Sequence, residues 1–76
     1  MEKRLSELKI KEAGIVKNVA CEASVKRRLS DMGLLAGVKV RVIRFAPLGD
    51  PMQIEIRGYS LALRKLEADN IIVEVV

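Results

Sequence analysis

The residue types that most often carry chemistry in proteins are scarce in this sequence. It has no His and one Cys, Cys21, among 76 residues. Without His, neither a Ser–His nor a Cys–His nucleophile pair can form within the chain, and a Cys/His zinc site lacks its ligands. A single thiol cannot form an internal disulfide. The sequence therefore argues against an enzyme and against a disulfide-stapled secreted scaffold.

The remaining candidates for holding a metal ion are carboxylates. Asp50, Glu55 and Asp69 are spread along the chain and lack a ligand spacing such as that of an EF-hand loop. Cys21 fits a small buried hydrophobic residue just before a helix, because one thiolate makes a poor metal site. We expect no cofactor and no dedicated metal site in one chain. Weak binding of a divalent cation, through surface carboxylates or across a dimer, stays open.

The distribution of positive charge is the feature of this sequence that most suggests a function. The chain has 14 Lys and Arg against 10 Asp and Glu, a formal net charge of +4. The basic residues concentrate in one stretch, opposed only by Asp31: Lys26, Arg27, Arg28, Lys39, Arg41 and Arg44. Such a cluster is either a solvated face of a basic protein or an electrostatic docking surface for an acidic partner. Three of these charges open the helix predicted below, where its dipole disfavours them, and this placement favours docking.

Two adjacent leucines lie in a Gly-flanked turn, where polar residues are the norm. We expect Leu34 to pack into the end of the fold and Leu35 to be the better candidate for an exposed contact. The 46–48 loop could extend such an apolar patch, but simple turn chemistry is the favoured explanation of that loop.

The pattern of apolar residues predicts one short helix. Val25, Leu29 and Met32 recur at i, i+4 and i+7, which places them on one helical face. Ser24 is the expected N-cap, and Gly33 suits the left-handed position that ends a helix. Residues 66–70 have room for one more helical turn.

The sequence predicts five strands. A run rich in β-branched residues indicates one at 15–20, and alternating apolar and polar residues indicate four more, at 38–45, 52–57, 59–64 and 71–76. The alternation slips at Val42 and Ile43, which indicates a β-bulge. Leu5 and Leu8 fit either one helical turn or two anchors of an extended strap. Short strands with close turns favour a small barrel over an open sheet. We therefore expect one mainly β domain, residues 1–76, with a short α-helix.

No apolar stretch approaches the roughly 20 residues of a membrane span, and no apolar run follows the charged N-terminus as it would in a signal peptide. We expect a protein of the cytoplasm that is not inserted in the membrane.

Three motifs in order resemble the FeoA family of ferrous iron transport accessory proteins. Residues 28–40 resemble its R-L-x-x-M/L-G-L-x-x-G-x-x-V centre, residues 46–51 its A-P-L-G-D-P turn, and residues 58–68 its G-Y-x-L-A-L-R-x-x-E-A segment. The opening L-S-x-L at residues 5–8 also fits. One departure is Ala36, where the family often has Pro before the second Gly of the central turn. The likeness covers nearly the whole chain.

The resemblance implies a five-stranded SH3-like barrel whose partner is the FeoB ferrous iron transporter, through either its cytosolic GTPase region or its membrane part. It implies regulation of Fe²⁺ uptake by protein contact, without an established enzyme activity, and leaves homo-oligomerisation and weak Fe²⁺ binding open. A related domain occurs at the C-terminus of iron-dependent repressors, but a chain of 76 residues has no room for the DNA-binding and metal-sensing parts of such a repressor. The expected partner-binding residues are Lys26, Arg27, Arg28, Leu34, Leu35, Arg41 and Arg44.

Two alternatives are weaker. A small basic barrel could bind nucleic acid, and charge favours this. However, Phe45 and Tyr59 are the only aromatic residues, too few for a base-stacking surface, and the net charge is modest. The same shortage argues against an SH3-style groove for proline-rich peptides. We therefore expect no nucleic-acid partner and favour a protein-binding module.

Overall fold

The fold is mainly β, in a computed structural model that describes residues 1–76. The strands are β1 (Glu2–Arg4), β2 (Ala13–Val19), β3 (Lys39–Phe45), β4 (Met52–Ile56), β5 (Tyr59–Leu63) and β6 (Ile71–Val75). The helices are α1 (Ala23–Asp31) and the short α2 (Lys65–Ala68), and a 3₁₀ turn spans Leu5–Glu7. All neighbouring strands are antiparallel, in the order β1-β6-β2-β3-β4-β5.

The five predicted strands are present as β2 to β6, and the sheet has a sixth strand that the sequence did not indicate. Strand β1 is three charged residues without apolar alternation, so no period-2 signal marks it. It forms by antiparallel pairing with β6, in which Lys3 lies opposite Val73. The predicted count of five strands is therefore corrected to six.

The predicted bulge in β3 is confirmed. The register between β3 and β4 shifts between Val42 and Arg44, and a further shift, which was not predicted, occurs in β2 between Val16 and Asn18. Each irregularity increases the local twist, which curves the sheet around its core.

Helix α1 begins earlier than the sequence suggested. Its N-cap is Glu22, whose carbonyl accepts a hydrogen bond from the Lys26 amide at 2.8 Å, and no side chain caps the helix. Ser24 is therefore already inside the first turn, and its prediction as the N-cap is wrong. Gly33 ends the helix as predicted, with φ of +96°, and the Leu34 amide returns to the Leu29 carbonyl at 2.9 Å.

A single hydrophobic core holds these elements together. It contains 16 buried side chains, and the chain buries no polar or charged residue. Leu5 and Leu8, at the start of the 3₁₀ turn and directly after it, both belong to this core. Leu29 is the fully buried side chain that α1 contributes to it. The Cα radius of gyration is 10.9 Å, matching the roughly 11 Å expected for this length.

We expect the protein to lose stability at acidic pH in part through Asp69. A hydrogen bond donated by Ser6 lowers the pKa of this carboxyl group, and Lys65 adds to the effect. A carboxyl group whose pKa is lower in the folded protein than in the unfolded chain, where it is about 3.9, stabilises the fold at pH values above the unfolded pKa. This stabilisation is lost as the pH falls through the pKa of the folded state. Urea midpoints measured from pH 7 to 2.5 should therefore fall less steeply for Asp69→Asn. Asp31→Asn, which removes an exposed carboxylate without an ion pair, is the control, and equal slopes for both variants would contradict the prediction.

Candidate functional site

The basic residues of α1 point in different directions. Lys26, Arg27 and Arg28 are all exposed, but only Arg28 has an acidic partner, Glu67 of α2. Lys26 lies on the side of α1 that faces β2. The three basic residues of α1 are therefore divided, and Lys26 and Arg27 are the two without an acidic partner.

The first groove at α1, which we call the α1–β2 groove, combines positive charge with an apolar floor. Leu34 is buried at 1% exposure and supports the surface from below, as expected, whereas Leu35 is 42% exposed. The only charged side chains that line this groove are Lys17 and Lys26, and no carboxylate is part of its lining. Its volume is about 130 Å³, and it is lined by Lys17, Asn18, Val19, Lys26, Ser30, Leu34, Leu35 and Ala36.

Arg41 and Arg44 lie elsewhere, on β3. The Arg41 guanidinium donates to the Lys11 carbonyl oxygen at 2.9 Å, and Arg44 Nε donates to Gln53 Oε1 at 2.9 Å. Each lines a different cavity from that of Lys26. The structure therefore brings together Lys26, Leu34 and Leu35, and it separates them from Arg28 and from the two β3 arginines.

A second and larger groove, the α1–β5 groove, lies on the other side of α1. Its lining holds two arginines, Arg28 and Arg64, and two acids, Asp50 and Glu67, but only Arg28 and Glu67 form an ion pair. The groove has a volume of about 470 Å³ and is lined by Arg28, Met32, Asp50, Pro51, Ala62, Leu63, Arg64 and Glu67.

Glu67 connects the two sides of this second groove. Its carboxylate accepts a hydrogen bond from the Arg64 amide at 3.1 Å, which caps α2, and it also pairs with Arg28. The Glu67 carbonyl oxygen lies 3.8 Å from the Cys21 sulfur. Burial raises the pKa of the Cys21 thiol, and the Glu67 carboxylate raises it further against the opposing effect of Arg28. Cys21 therefore stays a neutral thiol that packs against the core.

Side chains that could act as metal ligands do not cluster in the chain. No group of three or more His, Cys, Asp or Glu residues lies close enough together to hold an ion. The Cys21 thiol, with its raised pKa, is a poor source of the thiolate that a soft metal would need.

Three residues of these surfaces were missed by the sequence reasoning. Lys17 lies at the unpredicted irregularity of β2, between Val16 and Asn18, and Glu67 was noted only as part of a motif. Tyr59 donates a hydrogen bond from its hydroxyl to the Met32 carbonyl, joining β5 to the end of α1. A motif marks such residues as characteristic, but only the folded chain shows what they touch.

We expect Gly33→Ala to destabilise the protein by about 1–3 kcal/mol. An alanine there would have to adopt a φ of +96°, and its Cβ would lie 2.7 Å from the Tyr59 hydroxyl. Gly37→Ala is the matched control, because φ is +92° but the added Cβ meets no atom within 4 Å. Tyr59 is the only Tyr and the chain has no Trp, so intrinsic fluorescence reports its displacement directly. Equal unfolding energies and unchanged fluorescence in both variants would contradict this account of Tyr59.

A small SH3-like domain, with two grooves on either side of one helix, is the class of protein that this fold and these surfaces define. The FeoA domain family matches residues 3–75. The chain therefore belongs to the FeoA family, which is associated with ferrous iron transport.

Solved structures agree with this assignment. A FeoA protein from Chlorobium tepidum is 46% identical, with a TM-score of 0.94 over 97% of this chain and 70% of that one. A zinc-complexed FeoA from Stenotrophomonas maltophilia, described as a prokaryotic SH3 domain protein, is 31% identical, with a TM-score of 0.80 over 97% of this chain and 89% of that one. A manganese-dependent transcriptional repressor, 16% identical with a TM-score of 0.89, shares the fold alone.

One curated relative places such a domain beside a transporter. It is an Fe²⁺ transport protein A/Fe²⁺ transporter FeoB fusion protein from Porphyromonas gingivalis, 33% identical over 73 residues. The match covers 96% of this chain but 9% of the fusion protein. In the present chain, neither helix has the length and apolar composition needed to cross a membrane.

Proposed function

We propose that this protein is an accessory protein of ferrous iron uptake, which docks on the cytosolic part of a FeoB-type transporter and modulates it. The observation that carries the proposal is the fusion of a similar domain to FeoB in one relative. A covalent link keeps two modules at high effective concentration, and such a link is useful when the modules work in contact. The protein is then cytoplasmic and is recruited to the inner face of the membrane by its partner.

The docking surface is the α1–β2 groove together with Arg27. Lys17, Lys26 and Arg27 make it positive, and none of them has an ion pair within the chain. Leu35 adds an exposed apolar contact, and Leu34 holds its loop in place from the core. A partner surface with carboxylates around an apolar recess complements this arrangement. Arg28, Arg41 and Arg44 are secondary contacts, because each is already held by a partner within the fold.

Docking would act without catalysis and without a cofactor. A protein that binds one conformation of a transporter more tightly than another shifts the population toward the preferred state. This role needs only a rigid, complementary surface, which a small domain with a fully apolar core can provide. Iron is the cargo of the transporter in this scheme, so the accessory protein needs no iron site.

Uptake of Fe²⁺ into vesicles tests the modulating role. Vesicles containing the FeoB-type transporter of the same organism should take up Fe²⁺ at a different rate when the wild-type protein is added to the cytosolic side. A variant with Lys26→Glu and Arg27→Glu should leave the rate near that of the transporter alone. Equal rates with and without the wild-type protein, at saturating concentration, would contradict modulation.

A further inference from the structure

The two edges of the sheet are built differently. Strand β1, at one edge, has three residues, and all of them are charged. Strand β5, at the other edge, has five residues without a charge or a proline, Tyr59–Leu63, and it pairs only with β4. Short length, charges, prolines and bulges are the usual means by which proteins block an edge from adding another strand. Strand β5 uses none of them.

The register of β5 identifies which backbone groups are unpaired. A two-residue turn, 57–58, joins β4 to β5, so Ile56 and Tyr59 form the first hydrogen-bonded pair of the hairpin. Because the bonds of an antiparallel ladder alternate, Ser60 and Ala62 direct their N–H and C=O groups away from β4. Both residues are exposed, and no strand lies on that side.

This free edge adjoins the α1–β5 groove. Ala62 and Leu63 line the groove on the strand side, and Arg28 and Met32 line it on the helix side. The Tyr59–Met32 hydrogen bond closes the groove at one end. Because α1 stands opposite β5 across this groove, an extended segment added to β5 would run between the strand and the helix.

We propose that β5 accepts an extended segment of the transporter as a seventh strand, lying in the α1–β5 groove. The unpaired amides and carbonyls of Ser60 and Ala62 would bond to its backbone, as in other cases of β-strand addition. The proposal rests on the proposed function for the identity of the partner. The segment would thus occupy one side of α1 while the positive α1–β2 groove contacts the transporter on the other.

The groove also indicates the side chains of that segment. Ala62 and Leu63 line the β5 side of the groove, and the half-buried Met32 lines the α1 side, which favours a small apolar residue between them. Arg64 is exposed at the end of β5 without an ion pair, which favours a carboxylate there. The expected occupant is therefore an alternating segment with an acidic residue near one end.

Proline substitution at Ala62 tests the proposal. Ala62→Pro removes the outward amide, which has no bond in the free protein, so an edge strand tolerates it. Ala62→Val changes the side chain but keeps the amide, and it is the matched control. The probe is a set of overlapping 12-residue peptides covering the segments of the transporter outside the membrane, together with capture of the detergent-solubilised whole transporter.

One peptide region should bind wild type and Ala62→Val alike, and Ala62→Pro should bind it about tenfold or more weakly. In the wild-type complex, hydrogen exchange at the Ser60 and Ala62 amides should slow, while exchange at the Leu61 amide, already bonded to β4, changes little.

Undiminished binding by Ala62→Pro, or unchanged exchange at both amides, overturns the added strand but leaves the docking proposal intact. Failure of wild type to capture the transporter overturns both. A wild-type dimer that Ala62→Pro abolishes, without peptide binding, would show that a second copy occupies the edge and would also overturn the proposal.

Discussion

Replacing Leu29 with alanine is expected to lower the free energy of unfolding by about 3 kcal/mol. Leu29 is fully buried, and it is the only buried residue of α1, so its truncation leaves a cavity under the helix that walls both grooves. A domain of this size has about 4–11 kcal/mol of stability in all, and each kcal/mol corresponds to about 4–8 °C in melting temperature. Thermal and urea unfolding, followed by circular dichroism, measure the loss.

Leu66→Ala provides the control for this prediction. It removes the same atoms from a side chain that is 76% exposed, and surface substitutions of this kind usually change stability by less than about 0.5 kcal/mol. Comparable losses in the two variants would show that Leu29 does not anchor α1. Because the helix carries the docking charges, Leu29→Ala should also weaken transporter binding at temperatures where it is still mostly folded.

The second large effect is expected from reversing the charges of Lys26 and Arg27. Both side chains are exposed and without an ion pair, so the Lys26→Glu, Arg27→Glu variant should fold normally. An acidic partner would then meet negative charge at the centre of the docking surface. We expect the association rate to fall by about 10- to 100-fold at low salt, since long-range attraction is converted into repulsion. Surface plasmon resonance at several salt concentrations measures this change.

Lys9→Glu with Lys11→Glu is the matched control, because it changes the net charge equally. Both lysines are exposed, lack an ion pair and line neither groove at α1. If the control slows association as much as the α1 variant, net charge rather than the α1 surface governs docking. If the α1 variant associates at the wild-type rate at all salt concentrations, the docking surface lies elsewhere.

Local patterns predicted the elements whose signals are local. Alternation and one run of β-branched residues located five strands within about two residues, and the phase slip at Val42 located the bulge of β3. Strand β1 was not predicted because it forms by pairing with the distant β6, and its own residues show no alternation of apolar and polar side chains. The start of α1 was misplaced because a serine is a favoured cap, whereas the helix actually starts as soon as the chain has left β2.

The sequence was less informative about the site. It identified the concentration of charge, but linear spacing does not say on which side of a helix or sheet a residue ends up. Arg28 follows Arg27 directly, yet Glu67, far along the chain, neutralises only Arg28. The free edge of β5 depends on strand order, which alternation does not encode. Contacts between distant segments therefore had to come from the structure.

Binding to the transporter itself tests the central claim most directly. The FeoB-type transporter of the same organism would be placed in lipid nanodiscs, and the wild-type protein titrated against loaded and empty discs by biolayer interferometry at low and high salt. We predict saturable binding to loaded discs only, which weakens as salt rises and is strongly reduced by Lys26→Glu with Arg27→Glu. Binding to loaded discs no greater than to empty ones, at low salt and with active transporter, would contradict it.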